Sequence, residues 1–385
     1  MRARVAGVLL ALLAAGCTAE PATDATPAEG PPLRFAAPVS TGLPPQPLVS
    51  TSSFEPFVAA DSQGRIFVAD AGARFSVSLD GGSTFLPRPG PLPAATTLCG
   101  DVALAVDARD RLWFAQSHKC GGAESRGIRV ALSEDGGLSW TPPLLLEHGN
   151  ADRPWWAIDG ERAHLVWLEV DTMGVYAASS TDARSFTPPR ALAAQASFGA
   201  PAVLEGRLLV ADCGGISDGD GRRIRFPREL PSTFCMLRPM LAARPGDPTL
   251  HLAWLDVERR VCVAASVDAG ASWRLVECRS PGAMVLDAEK NPNLWLVASA
   301  RGVSVAAFAR SASGEGVDLH VTRFTDGVPS RGVAVSDLGG RASAPANTDF
   351  PALAALPDGR LVAAWAPREG DVQVATEQGS LKTPS

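Results

Sequence analysis

Apolar residues along this chain fall in short runs, and the runs come in pairs. Each pair is an apolar run, a turn holding Gly or Asp, often an Arg, and a second apolar run. Seven pairs follow this plan, at 56–70, 101–115, 154–167, 201–211, 239–254, 294–308 and 351–365. Their second runs begin near Arg65, Arg111, Ala163, Arg207, Thr249, Gly302 and Arg360, so six intervals cover 295 residues at about 49 each. Runs this short, bounded by Gly and Asp, predict β-strands, and no long helical pattern interrupts them.

A second pattern lies between the pairs. Ser78-Leu79-Asp80-Gly81-Gly82-Ser83-Thr84-Phe85 is written again as Ser133-Glu134-Asp135-Gly136-Gly137-Leu138-Ser139-Trp140 and as Ser266-Val267-Asp268-Ala269-Gly270-Ala271-Ser272-Trp273. A shortened copy, Ser180-Thr181-Asp182-Ala183-Arg184-Ser185-Phe186, lacks the Gly. The Asp carboxylate in such a segment accepts backbone N–H groups across a tight turn. The Gly supplies a positive φ, and the aromatic anchors the turn on the core. Apolar runs such as 75–77 and 261–265 precede the motif, so it is expected to join the two outer strands of a hairpin.

The shared pattern Ser-x-Asp-x-Gly-x-Ser/Thr-Trp/Phe resembles the Asp-box (BNR) repeat of sialidase-like β-propellers. With a period near 49 residues, the resemblance implies an all-β propeller of four-stranded antiparallel blades. Seven blades are expected, with six, as in the known sialidase propeller, the alternative. Strands A and B come from the paired runs, C precedes the Asp-box and D follows it. Blades four, six and seven lack a good Asp-box, and blade four carries an apparent insert from Cys213 to Cys235. Blade seven has A near 350–356, B near 360–365 and C near 371–375, and then the chain ends without a D strand. The orphan segment 34–41 is expected to fill that place and close the ring, leaving no unpaired edge.

The N-terminus has a separate role. Arg2 and Arg4 precede an apolar run from Val5 to Ala15 that ends in Leu13-Ala14-Ala15-Gly16-Cys17. The run is too short for a spanning helix. It resembles a bacterial lipoprotein signal, which implies cleavage after 1–16, lipidation of Cys17 and residence in the cell envelope, anchored to the membrane. Ala14 stands where that family prefers a larger aliphatic residue. Residues 17–33, rich in Ala, Pro, Thr and Glu, read as a flexible tether, and 34–385 as one propeller domain. The other six cysteines fall in neighbouring pairs, and an even number in an exported chain suggests disulfides. Cys99–Cys120, Cys213–Cys235 and Cys262–Cys278 are chosen because each lies within one repeat. The formal charge of -6 argues against a nucleic-acid partner. No cofactor is expected, and a monomer is.

In a propeller, strand A lines the central channel. The segment entering A and the B–C loop share one face, and the Asp-box turn lies on the other. Asp80, Asp135, Asp182 and Asp268 are therefore read as structural. Ligand contacts are expected just before the A strands, at Glu55, Asp101, Asp152 with Arg153, Arg238, Asn291 and Asp349. Carboxylates and arginines from separate blades there suit a polar ligand; the competing reading is strand-end caps around a watery channel. Sialidases use a Tyr nucleophile with a Glu partner, an Asp acid/base, three Arg and an N-terminal Phe/Tyr-Arg-Ile-Pro motif. The single tyrosine here, Tyr176, falls in mid-chain in a strand C, and Arg223-Ile224-Arg225-Phe226-Pro227 has the wrong place and order. Ser217-Asp218-Gly219-Asp220-Gly221 offers Asp218 and Asp220 as weak Ca²⁺ candidates, against the reading of a solvated turn. The five His show no metal-ligand spacing. The function expected is a membrane-tethered extracytoplasmic module that binds a glycan, peptide or protein; the alternative is a diverged sialidase-like glycoside hydrolase.

Overall fold

The computed structural model describes residues 33–43, 55–92, 100–118, 126–193, 201–212, 215–226, 239–256, 260–279, 294–310, 317–326, 328–330, 332–336, 351–367 and 371–379. The signal, Cys17, all of the tether except residue 33, and Cys99, Cys120, Cys213 and Cys235 lie outside them.

Seven antiparallel sheets succeed one another along the chain. Blade one is Phe57–Ala60, Ile66–Ala69, Phe75–Ser78 and Leu86–Arg88; blade two is Val102–Val106, Leu112–His118, Gly127–Ser133 and Leu144–Glu147. Blade three is Ala151–Asp159, Arg162–Glu169, Gly174–Ser180 and Arg190–Ala193; blade four is Pro201–Leu204, Arg207–Asp212, Gly215–Asp218 and Arg223–Arg225. Blade five is Met240–Ala243, Leu250–Leu255, Val261–Ser266 and Arg274–Arg279; blade six is Leu294–Ser299, Gly302–Arg310, Val317–Thr325 and Val328–Pro329, with Val333–Ala334 also on its strand C. Blade seven is Ala352–Ala355, Leu361–Trp365 and Gln373–Thr376, completed by Val39–Ser40. Each A strand packs against the next, and the seventh against the first, so the ring is closed. The seven-bladed count holds over six.

Strand B is buried on both sides because each blade is covered by its neighbours. It therefore reads as a continuous apolar run rather than an alternation. Trp113, Trp167 and Trp254 on three of these strands are among the largest fully buried side chains. The segment read as an insert in blade four instead holds its strands C and D. Their Gly- and Asp-rich composition hides them, since Ile216 is the one apolar residue of strand C.

Closure rests on the N-terminal segment. Val39 pairs with Val374 and Ser40 with Gln373. The Ala36 N–H donates to Thr376 O at 2.9 Å and the Gln378 N–H to Arg34 O at 2.8 Å. Leu33, Phe35 and Leu43 are buried. Thr41 also ties blade seven to blade one: its N–H donates to Val372 O at 2.9 Å, and its carbonyl accepts the Ser76 hydroxyl at 2.8 Å.

The four Ser-x-Asp segments are the C–D turns of blades one, two, three and five. In the first, the Ser78 hydroxyl accepts the Gly82 N–H and donates to Asp80 Oδ1, both at 2.8 Å. Asp80 then accepts the Thr84 N–H at 2.9 Å and the Thr84 hydroxyl at 2.7 Å. Asp135 and Asp268 repeat this with Ser139 and Ser272. The hydroxyl and N–H of Thr84 lower the Asp80 pKa to about 2, and those of Ser272 do the same for Asp268. The Gly of each full turn abuts the preceding blade. A Cβ on Gly82 would meet Thr376, one on Gly137 would meet Phe75 and one on Gly270 would meet Ile216.

Candidate functional site

Antiparallel order puts the A–B and C–D turns on one face, here the lower. The starts of the A strands and the B–C turns lie on the upper face. On the lower face, several turns carry structural ion pairs. Asp107 accepts the N–H groups of Arg109 and Arg111 and pairs with the Arg111 guanidinium, which donates onward to the carbonyls of Thr181 and Glu161 in blade three. The same Asp-x-x-x-Arg device joins Asp61 to Arg65 on this face, and Asp70 to Arg74 and Asp256 to Arg260 in B–C turns.

On the upper face, strand A of blade three begins irregularly. Asp152 pairs with Leu168 and Trp155 with Val166, so Arg153 and Pro154 together oppose one residue. This is a bulge. Pro154 has no N–H to give the ladder, and Arg153 before it takes φ +52°, a conformation that costs a non-glycine residue roughly 1–3 kcal/mol. The bulge sets Arg153 between two carboxylates. Its Nε lies 3.8 Å from Asp101 of blade two and 3.9 Å from Asp152. The Arg153 N–H also donates to Asp152 Oδ1 at 2.9 Å.

Beneath this triad is an aromatic floor. Phe57, Trp155 and Trp295 come from the A strands of blades one, three and six. No two of these blades are adjacent, so the rings meet across the axis. Their centroids lie 5.4 Å apart for Phe57–Trp155, 4.7 Å for Phe57–Trp295 and 4.9 Å for Trp155–Trp295, with edge-on or tilted planes. Phe57 and Trp295 are buried, and Trp155 keeps part of its surface exposed. Among the described residues, three rings thus meet where the A strands converge, with Asp101, Asp152 and Arg153 at the upper starts of strands A in blades two and three. Aromatic faces take the C–H faces of sugars and other amphipathic ligands, and the carboxylates and guanidinium supply directional hydrogen bonds.

Of the residues expected to meet ligand, the structure brings Asp101, Asp152 and Arg153 together. Glu55 is buried at the start of strand A in blade one. Arg238, Asn291 and Asp349 lie outside the described residues. Sequence reasoning missed the floor, although Phe57 and Trp155 follow Glu55 and Asp152 by two and three positions. Tyr176 sits on strand C of blade three, its ring 4.3 Å from His148 and 6.1 Å from Trp167, in a packed cluster. Asp218 accepts the N–H groups of Asp220 at 3.0 Å and Arg222 at 2.7 Å, and Arg207 Nη2 at 3.0 Å. Burial raises its pKa, but these donors outweigh it and leave the value lowered. Asp220 is exposed, 3.6 Å from Arg190. Among the described residues one group has metal-ligand spacing, Asp256, Cys262 and Cys278. Its two cysteines form the disulfide joining strands C and D of blade five, which removes them as ligands.

The fold is a seven-bladed β-propeller, with three aromatic rings meeting where its A strands converge. No family model and no curated protein matches the chain. Among solved structures it is similar to YCF48 bound to D1 peptide, at 13% identity over 92% of this chain and 99% of that one, TM-score 0.56. It is similar to the α-L-arabinanase of Penicillium chrysogenum complexed with arabinobiose, at 13% identity over 89% and 98%, TM-score 0.52. It is also similar to the BP39L lectin of Burkholderia pseudomallei, at 16% identity over 83% and 98%, TM-score 0.52. Likeness at such identity establishes the fold alone.

Proposed function

We propose that the protein is a binding propeller, tethered to the bacterial envelope by a lipid on Cys17, that takes a glycan in the floored mouth of its upper face. The Ser-x-Asp turns are read as Asp-box repeats with a structural role. Trp155 offers its exposed surface to a sugar ring, and Asp101, Asp152 and Arg153 bond the hydroxyls around it. The observation that carries this reading is the coincidence of a partly exposed tryptophan, Trp155, with a guanidinium two residues before it that a bulge holds between carboxylates of blades two and three. Sites of this kind combine apolar area with a few convergent polar groups.

A diverged hydrolase is the second reading, and one observation favours it. Asp101 and Asp152 touch the same guanidinium nitrogen, so they lie within the roughly 9.5 Å that spans the widest glycosidase carboxylate pair. Against it, Tyr176 packs with His148 and Trp167 on strand C rather than on the strand that lines the channel. A glycan array read beside a panel of fluorogenic glycosides separates the two. The binding reading expects array signal without turnover; turnover that Asp101→Asn abolishes would replace it with the hydrolase.

A further inference from the structure

Strand B of blades three and five carries one pattern, His164-Leu165-Val166-Trp167 and His251-Leu252-Ala253-Trp254. Each Trp is sealed in the core. The odd spacing turns the His to the opposite face of the strand, where it lines a cleft against the next blade. The cleft between blades three and four holds about 390 Å³, and that between five and six about 730 Å³. Strand D of both blades opens on an arginine in register with an alanine of strand C, Arg190 with Ala177 and Arg274 with Ala265. Both arginines line their clefts. One arrangement of His and Arg is therefore built twice.

His164 is buried and His251 half-buried. His164 is only 8% exposed and bonds Ser179 Oγ through Nδ1 at 2.7 Å. Its Nε2, like Nδ1 of His251, is buried without a hydrogen-bond partner among the described residues. His320 Nε2 is in the same state; what sets His164 and His251 apart is that each lines a cleft, where its nitrogen can bond whatever fills the cleft, water included. Burial lowers the pKa of both rings. Each cleft also holds two aspartates. Asp218 and Asp220 stand beside Arg162, Arg190 and Arg207 in the smaller, with Asp218 paired to Arg207. Asp247 and Asp326 stand beside Arg244 and Arg274 in the larger, with Asp247 paired to Arg244. Arg162 and Arg274 have no carboxylate within salt-bridge distance among the described residues, and the Arg190–Asp220 contact is an exposed, weak pair. Apolar walls complete each cleft, with Leu208 and Pro188 in the smaller and Trp273 and Phe324 in the larger.

We propose that these two interblade clefts are a duplicated site for a carboxylate-bearing sugar, such as a uronate, outside the axial mouth. The arginine and imidazole take the carboxylate and a ring hydroxyl, and the apolar wall takes the C–H face of the ring. Guanidinium pairing suits a planar carboxylate, and the cleft volumes suit small ligands. The choice of a sugar rests on the glycan reading, but the site shares no residue with the mouth.

The full chain holds five His, so its imidazole ¹H–¹⁵N spectrum is sparse. Titration with glucuronic acid is expected to shift the His164 and His251 signals saturably and leave His148 in place, while glucose at the same concentrations shifts neither. Arg190→Ala is expected to weaken binding at least tenfold at His164 alone, and Arg274→Ala at His251 alone. Both arginines are exposed, so both variants should fold, and the unshifted His148 signal checks that they do. The proposal is overturned if glucuronic acid leaves both signals in place, if glucose or acetate moves them equally, or if neither arginine variant changes the response. Loss of this response with array binding at the mouth intact would overturn the clefts and leave the axial site standing.

Discussion

Gly137→Ala tests the C–D turns as joints between blades. Two costs combine at this position. The backbone sits at φ +85°, which an alanine adopts at roughly 1–2 kcal/mol. The new Cβ would also lie 2.2 Å from Cε1 and 2.6 Å from Cζ of Phe75 in blade one. That ring cannot easily retreat, because it is buried between Phe67, 6.1 Å away, and Trp140, 5.3 Å away. Overpacking of this kind costs about 1–3 kcal/mol, so the variant should lose about 2–5 kcal/mol in all. Gly64→Ala is the control. It shares a left-handed backbone, φ +79°, but its Cβ would have nothing within 4 Å; it should lose no more than about 2 kcal/mol. Equilibrium urea unfolding measures both. In a Phe75→Leu background the cost of Gly137→Ala should shrink, so that the double variant loses less than the sum of the two single losses. Equal losses for the two glycine variants, or no coupling to Phe75, would refute the interblade contact.

Four further outcomes are expected, those at Cys17 and at the two further cysteine pairs from the sequence alone. Phe35→Ala should cost about 3–5 kcal/mol, because Phe35 is buried in the segment that closes blade seven, whereas deleting 20–32 should leave the urea midpoint unchanged. Replacing Cys262 and Cys278 together by Ser opens a link of 16 residues' separation and should cost about 3 kcal/mol on the chain-entropy account; non-reducing peptide mapping should also find Cys99–Cys120 and Cys213–Cys235. Acid should weaken the fold below the carboxylate range: Asp80 and Asp268 titrate at about 2 when folded and near 3.9 when unfolded, so their contribution is complete above about pH 4 and lost as pH falls toward 2; Asp80→Asn should flatten that part of the urea-midpoint profile. Metabolic labelling with a palmitate analogue should depend on Cys17, and Cys17→Ser should release the protein from membranes.

The blade plan was legible because its signals are local. Paired apolar runs, Gly/Asp turns and the Ser-x-Asp repeat each depend on a few consecutive residues. The closing strand was legible too, since blade seven offers three apolar runs where four are expected and segment 34–41 stands before the first pair of runs. Strands C and D of blade four were not, because Gly215–Asp218 and Arg223–Arg225 contain too few apolar residues to separate from loop. The axial site was half legible. Of the residues before the A strands, Asp101, Asp152 and Arg153 meet, while Arg238, Asn291 and Asp349 lie outside the described residues. The floor was hidden because Phe57, Trp155 and Trp295 converge only when seven blades close around an axis, and nothing local in their strands reports a contact across it. The bulge had a visible cause in Pro154, but its effect on the Arg153 side chain depends on where blade two presents Asp101.

The most direct test of the proposed function titrates the best array ligand into the wild type, Arg153→Ala and Trp155→Ala, with fluorogenic glycosides run in parallel. The account predicts that each variant binds at least tenfold more weakly, a loss of about 1.4 kcal/mol, with the Arg153→Ala fold intact and no turnover by any form. Undiminished affinity in both variants, or glycoside turnover by the wild type, would contradict it.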